Sequence, residues 1–258
     1  MDRRTPWHRA EMVLGVGLAI GVAFVTGPAG DEAAQALTTG GQERAVVVPG
    51  CHNRGDCGAP LKGGLQITFT GWSCTSGFLA RDTETRQPYL VTAGHCMAGS
   101  GLFARWAHHG IAIGRATLNA FRDGSAADAG AVAIEEADVS NELFRSSNVD
   151  VRSVTGWEAD SLQTIGSEVC RSGGASGWTC GRITAADVDT TIAGRLIRHT
   201  WWTDFVSAAG DSGGPMLDHD GHLVGIVIAT TATHSVYSTI DAIAGELRVR
   251  PCVDPTCG

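Results

Sequence analysis

Apolar and polar positions alternate in short runs along most of the chain. Leu65-Gln66-Ile67-Thr68-Phe69-Thr70 alternates apolar and polar, the period of a half-buried strand. Gly77-Phe78-Leu79-Ala80 and Tyr89-Leu90-Val91-Thr92-Ala93 predict two further strands, with the polar run from Arg81 to Pro88 as the turn between them. Ile111-Ala112-Ile113 and Gly130-Ala131-Val132-Ala133-Ile134 continue the β character. A charged, polar stretch from Glu135 to Asp150 reads as a connector between two halves. A second series of strands is expected around Val169 to Arg171, Trp178 to Ile183, Leu196 to Thr203, Pro215 to Asp218 and Leu223 to Ile228. Asp220-Gly221 between the last two is a hairpin signal. The period changes only near the end. Ile240, Ile243 and Leu247 lie at i, i+3, i+7 behind the candidate N-caps Ser238 and Thr239, which predicts a short amphipathic helix. The pattern is that of an all-β protein: two sets of short strands and a C-terminal helix. No internal repeat stands out.

Composition agrees. Hydrophobic residues make up 43% of the 258 and charged residues 18%, enough for a sizeable core. The 35 glycines against 8 prolines fit many tight turns. A net charge of -8, with Lys62 the sole lysine, argues against nucleic acid or anionic lipid as a partner.

The N-terminus has the pattern of an export signal over residues 1–36. Arg3, Arg4 and Arg9 precede an apolar stretch from Met12 to Val25, and Ala34-Gln35-Ala36 fits small-x-small cleavage before Leu37. The stretch is short for a bilayer span of about 20 residues, so membrane attachment is expected only if the segment stays uncleaved. Eight cysteines agree with an oxidising, extracellular compartment. Local spacing favours Cys51 with Cys57, Cys74 with Cys96, Cys170 with Cys180, and Cys252 with Cys257. No C-x2-C pair occurs and His52 beside Cys51 is weak support, so no metal is expected. Residues 37–61 read as an extension, with the Cys51–Cys57 loop and no core of its own.

Three short segments carry chemistry. Thr92-Ala93-Gly94-His95-Cys96 places a histidine where a strand ends, so the imidazole can project into a cleft. Gly210-Asp211-Ser212-Gly213-Gly214-Pro215 offers a serine in a glycine-rich turn, where the N–H groups of Gly210 and Ser212 can point at one oxyanion. Ala127-Asp128-Ala129-Gly130-Ala131-Val132 sets an aspartate just ahead of an apolar strand, where it can orient a histidine. Asp123 and Asp138 are rivals, but only Asp128 combines small neighbours with a following apolar strand. His108, His109, His199, His219, His222 and His234 read as surface or hairpin residues. Trp201 and Trp202 read as core and cleft wall.

TAGHC, an aspartate leading a strand, and GDSGGP, in that order, resemble the chymotrypsin-like serine proteases. The match is to the secreted bacterial branch of streptogrisin and α-lytic type. The segments Val169-Cys170-Arg171-Ser172-Gly173 and Gly177-Trp178-Thr179-Cys180-Gly181 resemble the second-barrel disulfide loop of that branch. The Cys74–Cys96 pair resembles its first-barrel bridge. The resemblance covers residues 62–247 or so. It implies two six-stranded antiparallel β-barrels, the first over about 62–140 and the second over about 150–240 of a protease domain spanning 62–250. A tail at 251–258 would hold a Cys252–Cys257 loop. It implies a catalytic triad of His95, Asp128 and Ser212, acyl-enzyme chemistry, no cofactor, and protein or peptide substrates for a secreted monomer. It also implies an Arg171–Asp211 pair that holds the oxyanion loop.

The sequence departs from the family in four places. The Ser-x-Gly strand that usually follows the nucleophile corresponds to Gly225-Ile226-Val227-Ile228-Ala229-Thr230, with Ile228 for the serine and Thr230 for the glycine. That narrows the pocket mouth and favours small or medium apolar side chains at the cleaved position. Nothing acidic occupies Phe205-Val206-Ser207-Ala208-Ala209, which disfavours cleavage after Arg or Lys, although Asp204 is close by. Ser207 stands where relatives carry a cysteine. Only about 25 residues separate Leu37 from Lys62, too few for the long pro-region many relatives have. Ile228 and Thr230 motivate a second reading, a catalytically weak binding protein on the protease scaffold. A third, the G-x-S-x-G turn of α/β-hydrolases, needs a helix straight after the serine, and Pro215 with the Asp220-Gly221 hairpin speaks for β instead.

Overall fold

A computed structural model of the chain describes residues 51–253 apart from His52, Ser100, Leu102 and Glu136. The expected export segment, most of the extension, and Cys257 lie outside the described residues.

In chain order the first eight strands are β1 (Leu61–Gly63), β2 (Gln66–Phe69), β3 (Trp72–Thr75), β4 (Leu79–Asp82), β5 (Pro88–Thr92), β6 (Arg105–His108), β7 (Ile111–Asn119) and β8 (Gly130–Ile134). Next come β9 (Val139–Phe144), β10 (Val151–Ser153), β11 (Gly156–Trp157), β12 (Glu168–Gly173), β13 (Gly177–Ile192) and β14 (Arg195–Thr203). The chain ends through β15 (Pro215–Asp218), β16 (His222–Thr230), β17 (Ser235–Thr239), α1 (Ile240–Leu247) and β18 (Val249–Pro251).

The first sheet runs β18-β4-β5-β8-β7-β6-β2-β3. It has eight strands rather than six, partly because β18 returns from the helix to pair with β4. Leu65, Ile67, Leu79, Leu90, Trp106, Ile113 and Val132 form its core. The second sheet runs β11-β16-β15-β12-β13-β14-β17, and β17 pairs back to β16, which closes a ring of six. Val169, Ile183, Trp201, Met216, Val224, Val227 and Tyr237 fill it. A third cluster lies between the sheets and under α1, including Val91, Ala129, Leu217, Ile226, Ile228, Ile240 and Ile243. Burial of each large apolar side chain here is worth about 1.5–3 kcal/mol.

α1 is the helix expected from the 3.6 period. Ile240, Ile243 and Leu247 are its buried residues, and the Thr239 side chain accepts the Ala242 N–H at its start.

The sequence reading proposed no strand at β1, β3, β6, β9, β10, β11, β17 or β18, and it ended β13 at Ile183; three of these differences have a clear physical reason. The polar stretch after Glu135 contains β9, which pairs in parallel with β1 and antiparallel with β10. β13 continues nine residues past Ile183 in a long hairpin with β14, bulged between Ile183, Ala185, Val188 and Thr190. Its far end exposes Asp187, Asp189 and Thr191 and only half-buries Val188 and Thr190 between them, so a single apolar residue, Val188, marks the inner face before Ile192. β17 is wholly buried although three of its five residues are Ser or Thr. Each of those hydroxyls finds a hydrogen-bond partner, which is how a polar strand can be buried.

The cysteines pair as 51–57, 74–96 and 170–180. Cys252 is also disulfide-bonded. The Cys51–Cys57 loop adds Cys57 and the following Leu61 to the first core. His108, read as a surface or hairpin residue, ends β6 at the hairpin to β7 but is buried, not at the surface. Its two ring nitrogens face Gln66 O at 2.6 Å and Cys57 O at 2.8 Å. Among the described residues no helix is long and apolar enough to cross a membrane.

Candidate active site

β5 ends at Thr92, and Gly94–Met97 form one 3-10 turn that carries His95 out of the sheet. Gly94 permits it, since a Cβ there would come within 2.6 Å of Ala129 O. The neighbouring Cys96 is tied to Cys74 on β3. His95 Nδ1 lies 2.6 Å from Asp128 Oδ2, and the His95 backbone N–H donates to Asp128 Oδ1 at 2.8 Å. Asp128 is fully buried between Ala127 and Ala129, directly before β8. Its own N–H donates to Ser238 Oγ of β17 at 3.0 Å. The rivals sit elsewhere: Asp123 accepts the Leu196 N–H on the exterior, and Asp138 is exposed beside Leu61.

Ser212 approaches from the second sheet. The Thr75 N–H donates to Ser212 O at 2.8 Å. A Cβ on Gly213 would strike Thr92 Oγ1 at 2.1 Å and Ala93 N at 3.0 Å, so the serine turn packs against the end of β5 that leads to His95. Gly210 and Gly213 both have φ above +90° or at it, a region closed to most side chains. Ser212 is half-buried, and its hydroxyl makes no hydrogen bond among the described residues. Within this turn the N–H groups of Asp211, Gly213 and Gly214 donate to Ala208 O, Val227 O and Asp211 O. Those of Gly210 and Ser212 have no acceptor among the described residues.

Beneath the turn Arg171 and Asp211 form a buried ion pair at 2.9 Å, the partners 1% and 0% exposed. Asp211 Oδ1 also accepts the N–H groups of Ala175 and Ser176, and Oδ2 accepts the Ala208 N–H and the Ser176 hydroxyl. Burial alone would raise the Asp211 carboxyl. The hydrogen bonds from Ala208 and Ser176, with the Arg171 charge, outweigh burial and hold it below the usual range. Arg171 further donates to Ser176 Oγ at 2.6 Å and Gly177 O at 3.2 Å, and lies over the Phe205 ring. Burial pushes its guanidinium down and Asp211 pulls it up.

Three of the four departures are also placed, and the short stretch from Leu37 lies mostly outside the described residues. Ile228 lies in the apolar cluster between the sheets, while Thr230 is exposed and donates to Thr231 O and His234 O. With no serine at 228, the polar contact to Asp128 from this side is the Ser238 hydroxyl. Ser207 Oγ meets Ser235 Oγ at 2.7 Å, a hydrogen bond in place of a bridge. Asp204 Oδ1 accepts the Arg182 N–H at 2.7 Å. An open cavity of about 280 Å³ beside His95 is lined by Phe69, Trp72, Phe121 and Ala193 among others. Of the residues that support this region, Thr75, Ser176 and Arg54 carried no signal in the sequence, and Ser238 only that of a candidate helix N-cap, a place the structure gives to Thr239. Nothing local marks a lone Ser or Thr for such a role.

The model of the trypsin family matches residues 53–244. Among solved structures, the Nocardiopsis protease NAPase is 26% identical over 75% of this chain and 99% of its own, with a TM-score of 0.64. Thermobifida fusca protease A is 26% identical over 76% of this chain and 100% of its own, with a TM-score of 0.65. Cellulomonas bogoriensis chymotrypsin, 24% identical over 75% of this chain and 100% of its own, has the same fold at a TM-score of 0.63. A chain whose strands close as these do, and whose family match spans most of its length, belongs to the trypsin family and is a chymotrypsin-like, serine-type endopeptidase similar to these bacterial proteases.

Proposed function

We propose that His95, Asp128 and Ser212 are the catalytic triad of a secreted endopeptidase acting through an acyl-enzyme. The observation that carries the reading is the double contact of His95 with the buried Asp128 carboxylate. With Nδ1 held by Asp128, Nε2 is the ring atom left to exchange protons.

Ser212 Oγ attacks the peptide carbonyl carbon and its proton passes to His95 Nε2. The carbonyl oxygen becomes an oxyanion, received by the free N–H groups of Gly210 and Ser212. His95 then gives the proton to the leaving amine as the C–N bond breaks. Water attacks the acyl-enzyme, its proton returning through His95, and the acid departs. Every step uses groups of the chain and water. Arg171 and Asp211 hold the turn without any newly freed N-terminal amine.

Substrates are proteins or peptides. The buried Ile228 and the side chain at Thr230 favour small or medium apolar residues at the cleaved position. Asp204 spends one carboxylate oxygen on the Arg182 backbone N–H, and Phe205 to Ala209 holds no acid, which disfavours cleavage after Arg or Lys. The arginine-led apolar N-terminus and the disulfides support secretion.

The test is labelling by a fluorophosphonate probe, wild type against Ser212→Ala. Labelling confined to the wild type is the expected result. A folded wild type that takes no label sinks the reading and leaves a binding protein on a protease scaffold. A peptide-library digest of the active protein reads the side-chain preference.

A further inference from the structure

Arg54 belongs to the small Cys51–Cys57 loop, yet it is only 8% exposed. Nη1 donates to Gly64 O at 2.8 Å and to Ser172 Oγ at 2.6 Å, and Nη2 donates to Arg145 O at 2.5 Å. The guanidinium also lies over the Phe144 ring at 4.9 Å. No carboxylate among the described residues pairs with it. A buried guanidinium held by two carbonyls, a hydroxyl and a ring is expensive to keep.

The two Nη1 contacts lie on the two walls that hold the serine turn. Ser172 follows Arg171 on β12, and its carbonyl lies against the turn: a Cβ on Gly214 would meet Ser172 O at 2.7 Å. Gly64 belongs to the other wall. Its N–H donates to Ser76 O, and the adjacent Thr75 donates its N–H to Ser212 O and its hydroxyl to Gly210 O at 2.6 Å. The walls touch, since a Cβ on Gly64 would collide with Ser172 Oγ at 1.8 Å. Arg54 cross-links them where they meet. The loop that carries it is closed by its own disulfide and anchored by His108, which faces Cys57 O. Burial and the nearby Arg171 charge pull Arg54 down to about 10, which leaves it a cation at neutral pH.

We propose that Arg54 is a positioning residue for the oxyanion turn, and that the Cys51–Cys57 loop serves to deliver it between Ser172 and Gly64. The inference rests on the triad reading above. Its substrate of action is geometry: without the cross-link the β12 wall and the 64–76 wall can separate, and the Gly210 and Ser212 amides lose their common aim. A misplacement of about 1 Å at such a site costs on the order of 100-fold in rate.

The experiment compares wild type, Arg54→Ala, Ser172→Ala and the double variant on one peptide substrate, each confirmed folded by circular dichroism. Affinity for a peptide aldehyde is measured in parallel, because its hemiacetal oxygen occupies the oxyanion site. The expected result for Arg54→Ala is a kcat lower by about 10–100-fold with KM within about threefold, and aldehyde affinity falling with kcat. Ser172→Ala should lose about 3–10-fold in kcat, and the double variant should be no slower than Arg54→Ala. A folded Arg54→Ala with wild-type kcat overturns the proposal, as do losses that multiply in the double variant. If Arg54→Ala does not fold, Ser172→Ala decides: reduced kcat at unchanged KM supports the role, and wild-type kcat overturns it. Failure of the triad reading is distinguishable, because then the wild type itself neither cleaves nor labels.

Discussion

Asp128 receives His95 twice, from the backbone N–H at 2.8 Å and from ring Nδ1 at 2.6 Å. One carboxylate therefore fixes both where the histidine backbone leaves the sheet and how its ring is turned. The carboxylate is fully buried, and among the described residues both of its hydrogen bonds are to His95.

That arrangement makes Asp128→Asn the sharpest substitution in the proposed triad. The shape is kept, but an amide can present its NH2 to Nδ1 and so stabilise the wrong tautomer. The expected kcat is lower by about 10⁴-fold with little change in KM. Steady-state kinetics on a peptide substrate measure it, and a loss below tenfold would contradict the assignment.

Arg171→Ala leaves the Asp211 carboxylate buried without its cation. Breaking one side of such a pair costs about 3–5 kcal/mol. A lower thermal midpoint and slower turnover should appear together, with faster amide hydrogen exchange across residues 208–214. Unchanged exchange and kinetics would separate the pair from the oxyanion turn.

Asp211 also sets a pH dependence. Its folded-state value is held below the ordinary 3.8, so the unfolded chain takes up the proton first as pH falls. Its contribution to stability is therefore complete above about 4 and is lost as pH drops through the lower folded value. Urea midpoints followed from pH 6 downward should decline through this window. Asp211→Asn, less stable at neutral pH, should decline less steeply there; parallel curves would remove Asp211 from the linkage.

Ser238→Ala removes the acceptor of the buried Asp128 N–H. An unsatisfied buried donor costs about 1–3 kcal/mol. The unfolding midpoint should fall accordingly, and kcat should fall more than KM rises, because Asp128 is the group disturbed. A stable variant with unaltered kinetics would show that Ile228 and its apolar neighbours suffice on that side.

How far the site was legible follows from how local each signal is. His95 and Ser212 sit in segments whose neighbours matter through backbone geometry: Gly94 for close approach to Ala129, Gly210 and Gly213 for positive φ. Those requirements are written in adjacent residues. Asp128 was legible more weakly, through small flanking residues and the apolar strand after it. The Arg171–Asp211 pair was expected from family resemblance and lies at 2.9 Å. Ser238 was marked only as a candidate helix N-cap, and Arg54 not at all. Their partners lie 110 and 118 residues away in sequence, and no periodicity reports a contact of that range.

The alternation of apolar and polar residues, read along the chain alone, determined that strands dominate and that one helix closes them, because the side-chain period follows backbone geometry. The same reading located the glycine turns and the histidine and serine they present. Only the tertiary structure decided that β17 is buried although polar, that β18 joins the first sheet, and that a residue outside the expected protease domain reaches its centre. Those outcomes depend on which distant groups satisfy a buried hydroxyl, amide or guanidinium, and that is settled when the sheets close and not before.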